Sequence, residues 1–152
     1  MKEDIEAASF PYLETKGLLL REIKVIERRK QGFASGRGIR WGIARKEDNY
    51  LIGSCGFTWI PQANAAEVGY ELGSQFWRQG IMSEALNAIL KYAFEIKQLE
   101  FVIAEIMLEN VASRKLLQKL GFRSQEVLKN HGFWKGKYHD LERFIIKTDV
   151  ET

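Results

Sequence analysis

Residues 71–86 read ELGSQFWRQGIMSEAL. Gly73 and Gly80 bracket a short polar and aromatic stretch lying between an alternating segment and a helical one. The chemistry available at such a junction belongs to the main chain. The first turn of a helix leaves backbone N–H groups without partners, and the helix macrodipole places partial positive charge there. A diphosphate suits that end. Gly80 lets the backbone come close to an anion, and Arg78 can add a charge-assisted contact. Glycines between a strand and a helix are also ordinary punctuation, so the loop by itself is a weak signal.

Other reactive patterns are excluded or plain. No G-x-x-x-x-G-K-[ST] occurs, which rules out a P-loop. Gly36-x-Gly38-x-x-x-Gly42 has the wrong spacing for a dinucleotide fingerprint and precedes a strand instead of following one. The single cysteine, Cys55 in LIGSCGF, excludes an internal disulfide and reads as a small buried hydrophobe. No Ser–His–Asp or Cys–His arrangement is visible. Glu67 and Glu71 share one strand face, because side chains repeat every second residue. Read alone, they are equally well solvated strand residues. Glu84, in the first turn of a helix, is accounted for by the macrodipole.

The elements that must position these residues follow from periodicity and punctuation. A leader ending near Pro11 precedes a first strand over Leu18–Ile23. A short polar helix is expected over 24–33, stopped by Gly32, and SGRG (35–38) is a loop. Arg40–Lys46 and Tyr50–Ile60 form a hairpin around Glu47-Asp48-Asn49. Pro61–Asn64 turns into a strand over Glu67–Leu72, with Val68, Tyr70 and Leu72 on one face. Met82, Ala85, Leu86, Ile89, Ala93 and Ile96 recur at helical spacing, which predicts a helix over 81–97. Phe101–Ile106 is nearly all apolar, as a central strand covered on both faces would be. Asn110 opens a second helix that ends at Gly121. Strands over about 122–129 and 138–147 flank the loop NHGFWKGK. This order predicts one α/β or α+β domain with a mixed sheet spanning residues 1–152.

Composition agrees. The 152 residues carry a net charge of +3, with basic and acidic residues interleaved. That bias is too weak to announce nucleic acid or a membrane surface. No apolar run nears the ~18 residues of a membrane span, and the opening MKEDIEAASF lacks the features of a secretory signal. A cytoplasmic setting is expected. The loop Phe133-Trp134-Lys135-Gly136-Lys137-Tyr138 interleaves bases and aromatics as RNA binders do, yet it reads more simply as a partner or substrate edge.

Four stretches in order carry a resemblance: LETKGLLLREI (13–23), LIGSCGF (51–57), AEVGYELGSQFWRQGIMSEAL (66–86) and ENVASRKLLQKLGF (109–122). With the trailing EVLKNHGFWKGKYHDLERFII (126–146) they cover most of the chain. The chain resembles the GNAT superfamily of N-acetyltransferases, in the Rim branch that includes ribosomal-protein N-terminal acetyltransferases. The resemblance implies acetyl-CoA as co-substrate, no metal, and a sheet splayed between its fourth and fifth strands. It places the pantetheine along Tyr70, Leu72 and Gly73. The pyrophosphate falls on the main chain of Arg78, Gln79, Gly80, Ile81, Met82 and Ser83. Asn110 combines its capping role with an amide contact to the pantetheine or the departing sulfur region.

Acetyl transfer to an amine needs a base for the amine, a donor for the oxyanion and an acid for the departing thiolate. The resemblance offers Glu67 as base, ahead of His131 and Glu84, a backbone N–H near Leu72 as oxyanion donor, and Ser113 as acid. The tyrosine that many relatives place seven residues after the helix-opening Asn is Leu117 here. An α-amino group, with pKa about 7.7–8.0, is roughly a tenth neutral at pH 7 and needs only a modest base, unlike lysine. The acceptor implied is therefore a protein N-terminus, with a polyamine, an aminoglycoside, or a non-catalytic acyl-CoA-binding role as alternatives. Three departures stand out. Met82 occupies a place where relatives have Gly or Ala, Gly17 stands where Arg is frequent, and only Lys24–Ile39 separates the first two strands. That short segment implies a truncated acceptor pocket, an omitted segment, or completion by a second subunit in a homodimer.

Overall fold

The computed structural model describes residues 10–23 and 36–148; the leader before residue 10 and the helix expected over 24–33 lie outside them. The strands are β1 (Leu13–Glu14), β2 (Leu18–Arg21), β3 (Gly38–Arg45), β4 (Leu51–Ile60), β5 (Ala65–Leu72), β6 (Phe101–Met107), β7 (Arg123–Trp134) and β8 (Lys137–Lys147). Two α-helices, α1 (Ile81–Lys91) and α2 (Val111–Leu120), connect the central strands. All eight strands form one sheet in the order β1-β2-β3-β4-β5-β6-β8-β7. The two-residue β1, paired with β2 through Leu13↔Leu20, advances the strand count by one. The strands expected as fourth and fifth are thus β5 and β6.

Every neighbouring pair is antiparallel except β5–β6. Those two run parallel and pair only at Ala65↔Phe101, Ala66↔Val102 and Glu67↔Ile103. Beyond Glu67 they part: β5 continues to Leu72 and β6 to Met107 with no further rungs between them. The splay opens a wedge in the middle of the sheet.

The helices cover one face. Ala85, Leu86, Ile89 and Ala93 pack with Trp41, Ile43, Cys55 and Val68 into a single core that also takes in Leu117 of α2. Trp41 is fully buried, meets Phe57 and Tyr92 edge-to-face, and donates its indole N–H to the Pro11 carbonyl at 2.7 Å. Burying an indole requires such a partner. Alternation sends Glu67, Gly69 and Glu71 of β5 to the opposite face.

Two expectations need correction. The helix over 81–97 is α-helical only to Lys91; Tyr92–Ile96 widens into a π turn at the point where Tyr92 packs against Trp41. The loop NHGFWKGK is mostly strand, with β7 and β8 reaching to Trp134↔Lys137. Only Lys135 and Gly136 remain as the turn, both at positive φ (53° and 78°), as a two-residue hairpin turn of type I′ demands. Asn130, also at positive φ, lies in an irregular stretch of the ladder between Leu128 and Gly132, which masked the strand's period.

Candidate active site

The wedge is lined by main chain on the β5 side. The Gly73 amide donates to the Ile52 carbonyl of β4 at 3.0 Å. Backbone groups alternate sides along a strand, so those of Tyr70 and Leu72 point away from β4, into the gap that β6 has left. The Leu72 carbonyl is taken by the Trp77 indole N–H at 2.8 Å. The Leu72 amide and both main-chain groups of Tyr70 face the gap. Gly73, expected among the cofactor-binding residues, has its amide turned to β4.

The loop that follows ends at the N-terminus of α1. Arg78 and Gly80 both adopt positive φ, 62° and 77°. For arginine this conformation is strained by about 1–2 kcal/mol, a cost typical of loops shaped for a ligand. The N-cap residue of α1 is Gly80, which has no side chain to cap it, and the first bond of the helix runs from the Glu84 amide to the Gly80 carbonyl at 3.0 Å. The amides of Ile81, Met82 and Ser83 therefore precede the helical ladder. Open space fronts Gly80, since nothing lies within 4 Å of the position a Cβ would take. Gln79 donates its side-chain amide to the Gln75 carbonyl at 3.1 Å, which braces the loop. The Ile81 and Met82 side chains pack against the core, so the bulk of Met82 is directed inward. The set fits a diphosphate.

Glu84 serves the scaffold. Its carboxylate accepts from the Gly17 amide at 2.9 Å and from the Thr15 hydroxyl, tying the β1–β2 turn to the first turn of α1. Gly17 sits close against it, with room for a Cβ only 3.6 Å from the carboxylate.

Glu67 and Ser113 stand on opposite faces of the sheet, with the wedge between them. Glu67 occupies the last position at which β5 pairs with β6. Its carboxyl is held above the usual carboxylate range, first by burial and then by the neighbouring Glu105 carboxylate, against the opposing pull of Arg143 and His131. Glu105, directly across from Arg143 on β8, accepts from the Arg143 Nε and Nη2 at 2.9 and 2.7 Å. His131 approaches its other oxygen at 3.4 Å. On the same face, a groove of about 620 Å³ is lined by Ile60, Phe101, Ile103, Gln125, Arg143 and Ile145 among others.

Ser113 sits in the first turn of α2. Its amide donates to Asn110 Oδ1 at 3.1 Å, the capping bond expected of that asparagine. Its hydroxyl accepts from the Tyr70 hydroxyl at 3.2 Å, so a bond bridges β5 and α2 on the helical face of the wedge. Leu117, one turn further along α2, is fully buried in the core.

Sequence reasoning missed three participants. Glu105 was readable as the lone carboxylate in the apolar run FVIAEIM. Arg143 had no such signal, because only the β6–β8 register brings it opposite Glu105. Tyr70 was assigned a main-chain role, whereas its side chain also reaches Ser113.

A sheet parted between two parallel strands, with a helix N-terminus behind a glycine-bearing loop, is the architecture at the centre of this chain. This chain belongs to the GNAT acetyltransferase family, whose domain model matches residues 14–123. The uncharacterized N-acetyltransferase YoaA of Bacillus subtilis (strain 168) is 32% identical over 142 residues, covering 93% of this chain and 80% of that protein. The [Ribosomal protein uS5]-alanine N-acetyltransferase of Escherichia coli (strain K12) is 28% identical over 107 residues, 69% of this chain. The chain spans only 55% of the length of that second relative. Among solved structures, RimL, a ribosomal L7/L12 α-N-protein acetyltransferase in complex with coenzyme A, superposes with a TM-score of 0.81 at 20% identity. That match covers 93% of this chain and 100% of RimL, and establishes the Rim-type fold. Among the described residues no helix is long and apolar enough to cross a membrane.

Proposed function

We propose that this chain, a single GNAT domain over residues 1–152, transfers acetyl from acetyl-CoA to the α-amino group of a peptide, a ribosomal protein being the leading candidate. The setting proposed is the cytoplasm. The observation that carries the reading is the placement of the half-buried Glu67 carboxyl on one face of the wedge and the Ser113 hydroxyl on the other. The thioester lies between them. Its diphosphate rests on the main chain from Arg78 to Ser83, with Asn110 Nδ2 free of the capping bond to meet the pantetheine. Tyr70 offers strand-like main-chain contacts to the pantetheine, and Leu72 offers its amide at the thioester.

Glu67 removes the proton from the incoming ammonium. Its raised pKa brings it nearer that of an α-amino group, which shortens the uphill proton transfer. The Leu72 amide, pointing into the gap, donates to the developing oxyanion. Ser113 supplies a proton to the departing sulfur. The groove on the Glu67 face, apolar at Phe101, Ile103 and Ile145 and charged at Arg143, offers a bed for the residues behind the amine.

Thiol release from acetyl-CoA, measured against peptides beginning with the N-terminal sequences of ribosomal proteins, a polyamine panel and aminoglycosides, tests the reading. Peptide turnover lost by a hundredfold or more in Glu67→Gln and Ser113→Ala is expected. Preference for a polyamine or aminoglycoside would move the acceptor to small amines. Tight coenzyme A binding with no turnover on any amine would reject catalysis and leave a sensing module.

A further inference from the structure

The bridge between Tyr70 and Ser113 joins two hydroxyls of very different acidity. Tyr70 projects from β5, the arm of the wedge that presents main-chain groups to the gap, and Ser113 from α2, which follows the other arm. A serine hydroxyl is a far weaker acid than a thiol of pKa about 8.5, so serine alone is a poor source of a proton for a thiolate. A phenol, near 10, is much closer. Burial raises the Tyr70 phenol, and its bond to Ser113 partly opposes that rise, so the proton is present throughout the physiological range. With the Ser113 oxygen accepting from Tyr70, the serine's own proton is directed elsewhere. The Asn110 cap fixes the backbone from which that hydroxyl swings.

We propose that Tyr70 is the positioning residue and proton reservoir for Ser113. This rests on the transferase reading above. As the carbon–sulfur bond of the collapsing adduct breaks, its electron pair remains on sulfur and takes the Ser113 proton. The Ser113 oxygen takes the Tyr70 proton in the same movement. The phenolate left on Tyr70 recovers a proton from water once the thiol has departed. The serine is unchanged at the end, and no alkoxide forms.

The test compares wild type with Tyr70→Phe, Ser113→Ala and the double variant, using acetyl-CoA and the best acceptor from the amine panel. Tyr70→Phe deletes one oxygen, and a thermal melt verifies that the fold is kept. Expected is a fall in kcat of about tenfold to a hundredfold, less than loss of a full general acid because Ser113 remains. KM for acetyl-CoA stays within about twofold, and the double variant is no slower than Ser113→Ala, as members of one unit behave. In mixed light and heavy water the wild-type rate curves as two protons in flight require, and Tyr70→Phe becomes linear. Tyrosine ¹³C-ζ NMR, assigned with Tyr70→Phe, shows the Tyr70 signal moving in Ser113→Ala. An unchanged kcat in Tyr70→Phe, multiplicative losses in the double variant, or a Tyr70 signal indifferent to Ser113→Ala overturns the relay while leaving the transferase intact. Absence of turnover by wild type on every amine overturns both.

Discussion

Arg143 holds one oxygen of Glu105 through two nitrogens, Nε at 2.9 Å and Nη2 at 2.7 Å, directly beside the half-buried Glu67. The pair sets the charge that Glu67 feels. With Glu67 as the proposed base, which works only when ionised, kcat/KM is expected to fall as pH drops through a Glu67 pKa lying above the ordinary carboxylate range. Glu105→Gln removes a like charge and frees Arg143, and the acidic limb of the pH–rate profile moves to lower pH. Arg143→Gln removes an attractive charge, and the limb moves to higher pH. Profiles of the two variants that move together, or in the reverse sense, would show that Glu67 does not set this limb.

Glu84 ties the β1–β2 turn to α1 through its carboxylate. Glu84→Ala removes the acceptor of the Gly17 amide and the Thr15 hydroxyl. Charged hydrogen bonds of this kind are worth about 2 kcal/mol, which lowers the melting temperature by roughly 4–8 °C in a domain of this size. Turnover per folded molecule stays at the wild-type value. A calorimetric melt paired with active-site titration reads both quantities.

Restoring a tyrosine at position 117 brings no gain. Leu117 is fully buried in the core, so Leu117→Tyr overpacks it at a cost of about 1–3 kcal/mol. The expected result is a lower denaturation midpoint and an unimproved kcat. Faster turnover would mean that α2 rotates its buried face toward the wedge.

Gly80→Ala separates strain from ligand contact. The position has φ of 77° and open space in front of it, so the added methyl meets no protein atom. The left-handed conformation costs an alanine about 1 kcal/mol. The methyl also projects where a diphosphate would approach, and calorimetry is expected to show coenzyme A affinity lower by about tenfold or more. Equal affinity would place the diphosphate elsewhere.

Cys55 is chemically silent in the folded protein. It is fully buried, and burial pushes its thiol up to about 12 despite the nearby Arg40. A thiol reagent at pH 8 should label it only at the rate of global opening, and urea should accelerate labelling in step with unfolding.

Local signals in the chain were enough for the scaffold. The alternation of Val68, Tyr70 and Leu72, the helical spacing from Met82 to Ala93, and the Asn110 and Gly121 caps each appear where their chemistry dictates. The misreadings came from places where tertiary pairing overrides local pattern. Asn130, Gly132 and Gly136 look like loop residues, yet the β7–β8 ladder absorbs them with an irregularity and a two-residue turn. The π turn after Lys91 keeps an apolar periodicity close to that of an α-helix and left no mark in the sequence. At the site, the shape of the 73–83 loop was legible because glycine and helix start are local features. The Glu105–Arg143 pair and the Tyr70–Ser113 bridge span 38 and 43 positions, and only sheet register and the packing of α2 bring them together.

The three-rung seam between β5 and β6 has a consequence for the protein's solubility. Past that seam the facing edges of β5 and β6 lack a partner strand, and such edges ordinarily invite foreign strands and aggregation. Here they face each other across the slot inside the sheet, with Tyr70 and Ser113 joined by a hydrogen bond on its helical side, so neither edge lies on the sheet's outer margin. The slot that would seat the substrate's arm is thereby also a guard against misassembly, and the loaded protein should resist clumping better than the empty one.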